Sequence, residues 1–215
     1  MNEVLFFIQI FIIVVFASVA LRMGKEALTA WVAIQALIAN LFVLKQITLF
    51  GFDVTASDAF AIGSLLGINF LQEYSGVEKA RRATWICFFF MLFFVAVSHV
   101  HLLYQPSLYD TSQSSFVQIL SLAPRLLSAS MAVFFVVQWV DIKFFSFLKN
   151  RFPNFGFATR ALIALVFSQF LDTFLFSFIG LYGMVVSVVN VIAVSFIVKL
   201  SVIFCMTPLL KWAKA

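Results

Sequence analysis

Long apolar runs separated by short polar breaks set the plan of the chain. Residues 4–21 contain no charge, and residues 27–44 follow between Glu26 and Lys45. A third run opens after the turn-rich segment FGFDVTASD, which holds Gly51, Asp53 and Asp58, and continues to about Gln72. A fourth covers 83–103 and leads into the polar loop YQPSLYDTSQSS; a fifth covers 116–140, with Pro124 and Arg125 inside it. The stretch 161–210 carries only two charges, Asp172 and Lys199. A helical span needs roughly 20 apolar residues, so that stretch holds two spans, with Gly180 and Gly183 marking the break. The pattern predicts an all-α membrane protein, a polytopic bundle of about seven transmembrane helices in one domain over 1–215. The runs lack the period-two alternation of a β-barrel.

Composition strengthens this reading. With 64% hydrophobic and 11% charged residues and a mean hydropathy of +1.10, nine acids and fourteen bases cannot cover the surface of a water-soluble fold. The net charge of +5 does not point to nucleic acid, because the bases lie between apolar runs instead of clustering on a wet face. They report topology. Alternate loops carry Arg22 and Lys25, then Lys79, Arg81 and Arg82, then Lys143, Lys149, Arg151 and Arg160, then Lys211 and Lys214, whereas the opposite side has Lys45. The positive-inside rule then places the N-terminus outside and the C-terminus in the cytoplasm. The first run is preceded by Glu3 and no base, which argues for a retained helix against a cleaved signal. Cys87 and Cys205 stand alone in apolar surroundings and read as buried thiols.

The remaining bases, Arg125 and Lys199, fall inside spans, where a charge costs at least ~2.5 kcal/mol and must face a partner, water or the bundle interior. Arg125 lies about 14 Å below the start of the fifth run, beside a proline that leaves the Leu120 carbonyl without its helical donor. Asp172, Gln169 and Ser168 share one helix face in the motif SQFLDT. A carboxylate, a carboxamide and a hydroxyl together can read donors and acceptors on a flat heterocycle. Asn69 and Glu73 are four apart on the third span, and Glu73 is six residues from Lys79, at the membrane rim. For each charge, a structural ion pair stands beside the binding-site reading, and Asp172 could neutralise Lys199 or Arg125. His99 and His101 are two apart, on different helix faces, which disfavours a zinc or proton-relay role. No metal, cofactor or catalytic residue is predicted. Ala27, Ala30, Ala33, Ala36 and Ala39 recur at steps of three on the second span and would permit close helix approach.

The segments LFGFDVTASD, QEYSGVEKARRA, APRLLSAS followed by Asp141, SQFLDTFLF, and a late membrane Lys before Pro208 resemble the queuosine precursor transporter family of vitamin-uptake-like membrane proteins. The resemblance covers about 27–210 and implies a six-helix core over 27–215, with 1–26 as an added N-terminal helix. It implies import of a 7-deazaguanine such as queuine, preQ1 or preQ0 for tRNA modification, through the inner membrane of a bacterial cell. It places Asn69, Glu73, Arg125, Gln169, Asp172 and Lys199 at substrate-binding positions; at Asn69 many members carry an acid. Coupling protons, and a homo-oligomer or an energising module, are the partners such a carrier would use.

Two alternatives stand beside this one. The chain could be the substrate-binding subunit of an energy-coupling-factor-type importer, with the alanine stripe docking a partner; it has no GxxxxGK[ST] motif, so ATP hydrolysis would come from elsewhere. An intramembrane enzyme would need a nucleophile motif or HExxH, and the chain has neither.

Overall fold

The computed structural model describes residues 1–42, 45–55, 57–120, 124–180, 182–183 and 188–209; the side chains of 46, 52–55, 124–127, 190, 194 and 205–209 lie outside that description. Eight helices and one small hairpin follow in the order α1 (Asn2–Met23), α2 (Lys25–Phe42), β1 (Gln46–Leu49), β2 (Phe52–Thr55), α3 (Asp58–Ser75), α4 (Val77–Leu102), α5 (Gln113–Leu120), α6 (Pro124–Arg151), α7 (Phe157–Ile179) and α8 (Val188–Leu209). Among the described residues, four stretches are long and apolar enough to cross a bilayer: Asn2–Met23, Val77–Leu102, Ser128–Arg151 and Phe157–Ile179.

Helix α3 is the axis of the bundle. It touches α1, α2, α4, α6, α7 and α8, and every residue from Ile62 to Gln72 is buried. A helix buried all round needs neighbours on every side, and lipid-facing helices supply them. Thus α1 turns Phe6, Ile10, Ile13, Val14, Ala17 and Ala20 inward at helical spacing and leaves Phe7, Phe11 and Phe16 exposed to the surroundings. Tight links make the hairpins of helices. Gly24 (φ 109) joins α1 to α2 and Gly76 (φ 89) joins α3 to α4, both in the left-handed region that glycine enters without a Cβ clash.

One feature differs from the sequence expectation. The turn-rich segment before α3 is an antiparallel hairpin in which Leu49 pairs with Phe52, and both turn residues, Phe50 (φ 52) and Gly51 (φ 83), have the positive φ of a two-residue hairpin turn. Asn2 Nδ2 donates to Thr48 O at 2.9 Å, so the hairpin lies against the start of α1. Within the run 116–140, α5 is described up to Leu120 and α6 from Pro124, and residues 121–123 lie outside the described residues. A proline suits a first helical position because it has no N–H to leave unpaired.

The alanine stripe also differs. Ala33 and Ala36 are buried inside the chain's own bundle, while Ala30 is exposed, because steps of three drift around a helix of 3.6 residues per turn. Close approach between α2 and α3 instead rests on Gly63 and Gly67, one turn apart. A Cβ at Gly67 would stand 2.7 Å from Val32 Cγ2, and one at Gly63 would stand 2.8 Å from Gln35 Oε1. Gly67→Leu is therefore expected to destabilise the protein by about 1–3 kcal/mol through overpacking. Thermal unfolding in detergent micelles checks this, and an unchanged midpoint would show that α2 and α3 separate at no cost.

Candidate functional site

The polar side chains inside the bundle sort into three levels along α3. The end that carries Lys149 and Arg151 is called the basic end here, and the opposite one the hairpin end. Asp58, Asn69 and Glu73 mark the levels: eleven residues, or about 16 Å, from the first to the second, and four residues, or about 6 Å, from the second to the third.

At the basic end Glu73 is clamped by two cations. Arg160 Nη2 donates to its Oε1 at 2.7 Å, Lys149 Nζ lies 3.2 Å from its Oε2, and Lys149 also donates to the Glu73 carbonyl at 3.2 Å. Arg160 Nη1 in turn holds the Phe155 carbonyl at 2.7 Å. An aromatic layer lies alongside: Phe157 stacks on Phe70 at 5.0 Å and packs near Phe145 and Tyr74 at about 6 Å, with Phe70, Phe145 and Phe157 buried. Ions and rings together tie α3, α6 and α7 shut at this end.

Toward the hairpin end, Lys199 on α8 donates to Asp172 Oδ2 on α7 at 2.6 Å, and Asp58 Oδ1 at the start of α3 is 4.0 Å away. Lys199 is buried, so its charge is compensated within the bundle. Near this triad lies a cleft of about 220 Å³ lined by Asn2, Leu5, Phe6, Gln9, Lys45, Ile47, Leu49, Asp58, Ala59 and Val198. That is smaller than the roughly 300–1,000 Å³ of a typical ligand pocket, so the cleft fits an approach to the bundle better than a complete site.

The middle level is neutral apart from one carboxylate. Part of it is a closed network: Thr84 Oγ1 is 3.1 Å from Gln138 Oε1, Gln138 Nε2 donates to Ser64 Oγ at 3.1 Å, and Ser64 Oγ donates to Val32 O at 3.2 Å. It joins α2, α3, α4 and α6. Gln72 Nε2 reaches Ile142 O at 2.8 Å and Ser146 Oγ at 2.6 Å, fixing α3 and α6 side by side. Between those two anchors on α3 lies Asn69, and between them on α6 lies Asp141. Asn69 is fully buried, and neither Nδ2 nor Oδ1 has a partner among the described residues. The same holds for Gln169 Oε1 on α7 and for Asp141 Oδ2. Asp141 Oδ1 accepts the Ser168 hydroxyl at 2.6 Å.

The structure therefore separates residues that the sequence reading placed in one pocket. Asn69 and Gln169 lie in the middle level, Asp172 and Lys199 form a charged pair toward the hairpin end, and Glu73 belongs to the rim clamp. Arg125 is the second residue of α6, but its side chain lies outside the described residues. Arg160, counted from sequence as a topology-setting base, is buried beneath that rim. Asp58 proves to be a partner of Lys199. The apolar run ends at Val140, but α6 continues to Arg151, which puts Asp141 about 15 Å inside the helix end. The recoverable signal was the pair Gln138 and Asp141, three apart on one helix face. Cys87 is buried as expected, the side chain of Cys205 lies outside the described residues, and His99 and His101 are both exposed.

The clamp makes a graded prediction. Arg160→Gln leaves the part-buried Glu73 with the more exposed Lys149 alone and is expected to cost about 3 kcal/mol. Lys149→Gln removes the more solvated partner and should cost under about 1 kcal/mol. Melting of the two variants in the same detergent checks the order; equal losses would show that the cations are interchangeable.

Residues 55–213 match the family described as "Putative vitamin uptake transporter". A protein of Bacillus subtilis (strain 168) named "Probable queuosine precursor transporter" is 30% identical over 163 residues, covering 74% of this chain and 71% of that one. No solved structure matches the chain. A bundle of long apolar helices is in keeping with those matches, and the chain belongs to the vitamin uptake transporter family, as a multi-pass membrane transporter.

Proposed function

We propose that the protein imports a 7-deazaguanine, a precursor or salvage base of queuosine, across a bacterial inner membrane for use in tRNA modification. The observation that carries this is the Asn69 amide on the central helix, both of whose ends are buried without a partner among the described residues. A 7-deazaguanine is a flat ring presenting an amide carbonyl, a ring N–H and an exocyclic amine. Asn69 Nδ2 can donate to the carbonyl, while Asn69 Oδ1 and Gln169 Oε1 can accept from the ring's donors. Asp172 and Lys199 then lie on the approach to this level, and Arg125 remains a candidate contact.

Orientation by the basic loops puts the hairpin end outside and the basic end in the cytoplasm. On this reading the substrate enters by the cleft at Asp58, passes the Lys199 pair and settles near the membrane midplane, where carriers commonly bind. The Glu73 clamp and the Phe157 stack hold the cytoplasmic side closed until the helices rock. Protons are the natural coupling ion for a path that passes a lysine held by carboxylates. The bundle crosses seven times, with α1 added to a six-helix core over 27–215. Burial of Ala33 and Ala36 takes the centre of the alanine stripe away from any energising module, which favours a carrier acting alone.

The test is rescue of tRNA modification in a host unable to make the precursor, fed each 7-deazaguanine in turn. The wild-type chain should restore modification and accumulate labelled base. Asn69→Leu and Asp172→Asn, with the protein still present in the membrane, should each lower uptake at least tenfold. No rescue by any 7-deazaguanine would overturn the assignment.

A further inference from the structure

Resting on the reading above, we propose that Asp141 is the specificity-determining residue of the middle level, and that it reads the amine-bearing edge of the substrate. The carboxylate is completely buried at mid-helix, and its two oxygens are used unequally. Oδ1 is fixed by the Ser168 hydroxyl at 2.6 Å, whereas Oδ2 has no partner. The other carboxylates inside the bundle all have cations: Asp172 and Asp58 have Lys199, and Glu73 has Arg160 and Lys149. No cation lies within ion-pair distance of Asp141 among the described residues. Arg125 is sixteen residues away on the same helix, about 24 Å along its axis.

Ser168 does more than occupy one oxygen. It joins α7 to α6 and fixes the rotation of the carboxylate, so Oδ2 is presented in a set direction. A carboxylate held this way accepts hydrogen bonds and, when ionised, donates none. Among the described residues the unpartnered atoms of the level then comprise four acceptors, Asp141 Oδ2, Asn69 Oδ1, Gln169 Oε1 and Gln72 Oε1, and one donor, Asn69 Nδ2. Such a set complements a flat ligand with several N–H groups and a single carbonyl. Guanine-type rings have that balance; rings with oxygen in place of the exocyclic amine do not. A site built to accept from an amine rejects an analogue lacking it, because the carboxylate is then left buried and unpaired.

The experiment measures competition for uptake of labelled 7-deazaguanine by the full chain in cells, with unlabelled parent, the analogue lacking the 2-amine and the analogue with a 2-oxo group. Wild type should prefer the parent over the des-amino analogue at least tenfold. Asp141→Asn keeps an oxygen for Ser168 but can turn an NH₂ toward the ligand; it should reduce the preference to within about twofold and improve competition by the 2-oxo analogue. Asp141→Ser serves in its place should the first variant fail to reach the membrane, and should likewise flatten the preference. A merely structural role would lower uptake without reordering the competitors. Parent uptake with no discrimination in wild type, or an unchanged preference in a variant that still transports, overturns the role of Asp141 alone. Failure of wild type to take up any 7-deazaguanine overturns the functional reading and this inference with it.

Discussion

Within a lipid-embedded bundle, a buried polar atom has no bulk water to turn to, so its hydrogen bonds must come from protein or from a bound molecule. That constraint orders the interior of this protein. Thr84, Gln138 and Ser64 satisfy one another and the Val32 carbonyl, and by doing so pin α2, α4 and α6 to the central helix. Asn69, Asp141 and Gln169 stand at a similar depth and leave four atoms unsatisfied. At roughly 1–3 kcal/mol for each unmet buried group, four of them amount to about 4–12 kcal/mol. A domain's whole stability is about 5–15 kcal/mol. Packing alone gives no reason to carry such a cost; the binding role proposed for this level does.

The two ends of the bundle meet the same constraint differently. At the basic end a carboxylate with two cations and a layer of aromatic rings join three helices. Toward the hairpin end, Lys199 is paired, but a cleft opens beside Asp58. Ion pairs at a rim can exchange partners with water at modest cost, whereas aromatic stacks and backbone hydrogen bonds give way together or not at all. The clamp at Glu73 combines both kinds of contact, which makes the basic end the better sealed of the two.

Much of this was legible in the sequence, and the exceptions have physical causes. Run lengths and sparse charges gave the membrane helices, because a bilayer sets span length directly. Asp172 and Lys199 were visible as deep charges, with Lys199 and Arg125 as the alternative partners of Asp172, since opposite charges in lipid need one another. Asp141 was not, because the lysines beyond it made the segment look like a loop, while α6 carries its helix on to Arg151. The partners of Glu73 were hidden for a related reason: Arg160 is distant in sequence and looked like a loop base, and only the α6–α7 turn brings it beneath the rim. The hairpin before α3 depends on two adjacent positive-φ residues, one of them Phe50, which no propensity rule would choose.

A carrier also has to release what it binds, and the distribution of charge bears on that. Neutral hydrogen bonds contribute about 0.5–1.5 kcal/mol each after desolvation, and those to charged groups about 1.5–3. Had Lys199, Asp172 and Glu73 all faced the substrate, their contributions would accumulate toward affinities too tight for turnover. The pairing of Lys199 with Asp172, and of Glu73 with Arg160 and Lys149, withholds them. On the proposed reading, what is left for the substrate at the middle level is the amides of Asn69 and Gln169 and the carboxylate of Asp141. A handful of such contacts, offset by the cost of ordering the ligand, falls within the −4.1 to −8.2 kcal/mol that corresponds to about millimolar to micromolar binding. Selectivity then has to come from the direction of the few groups left open more than from their strength, and the Ser168 hydroxyl, by fixing one oxygen of Asp141, gives the other a direction.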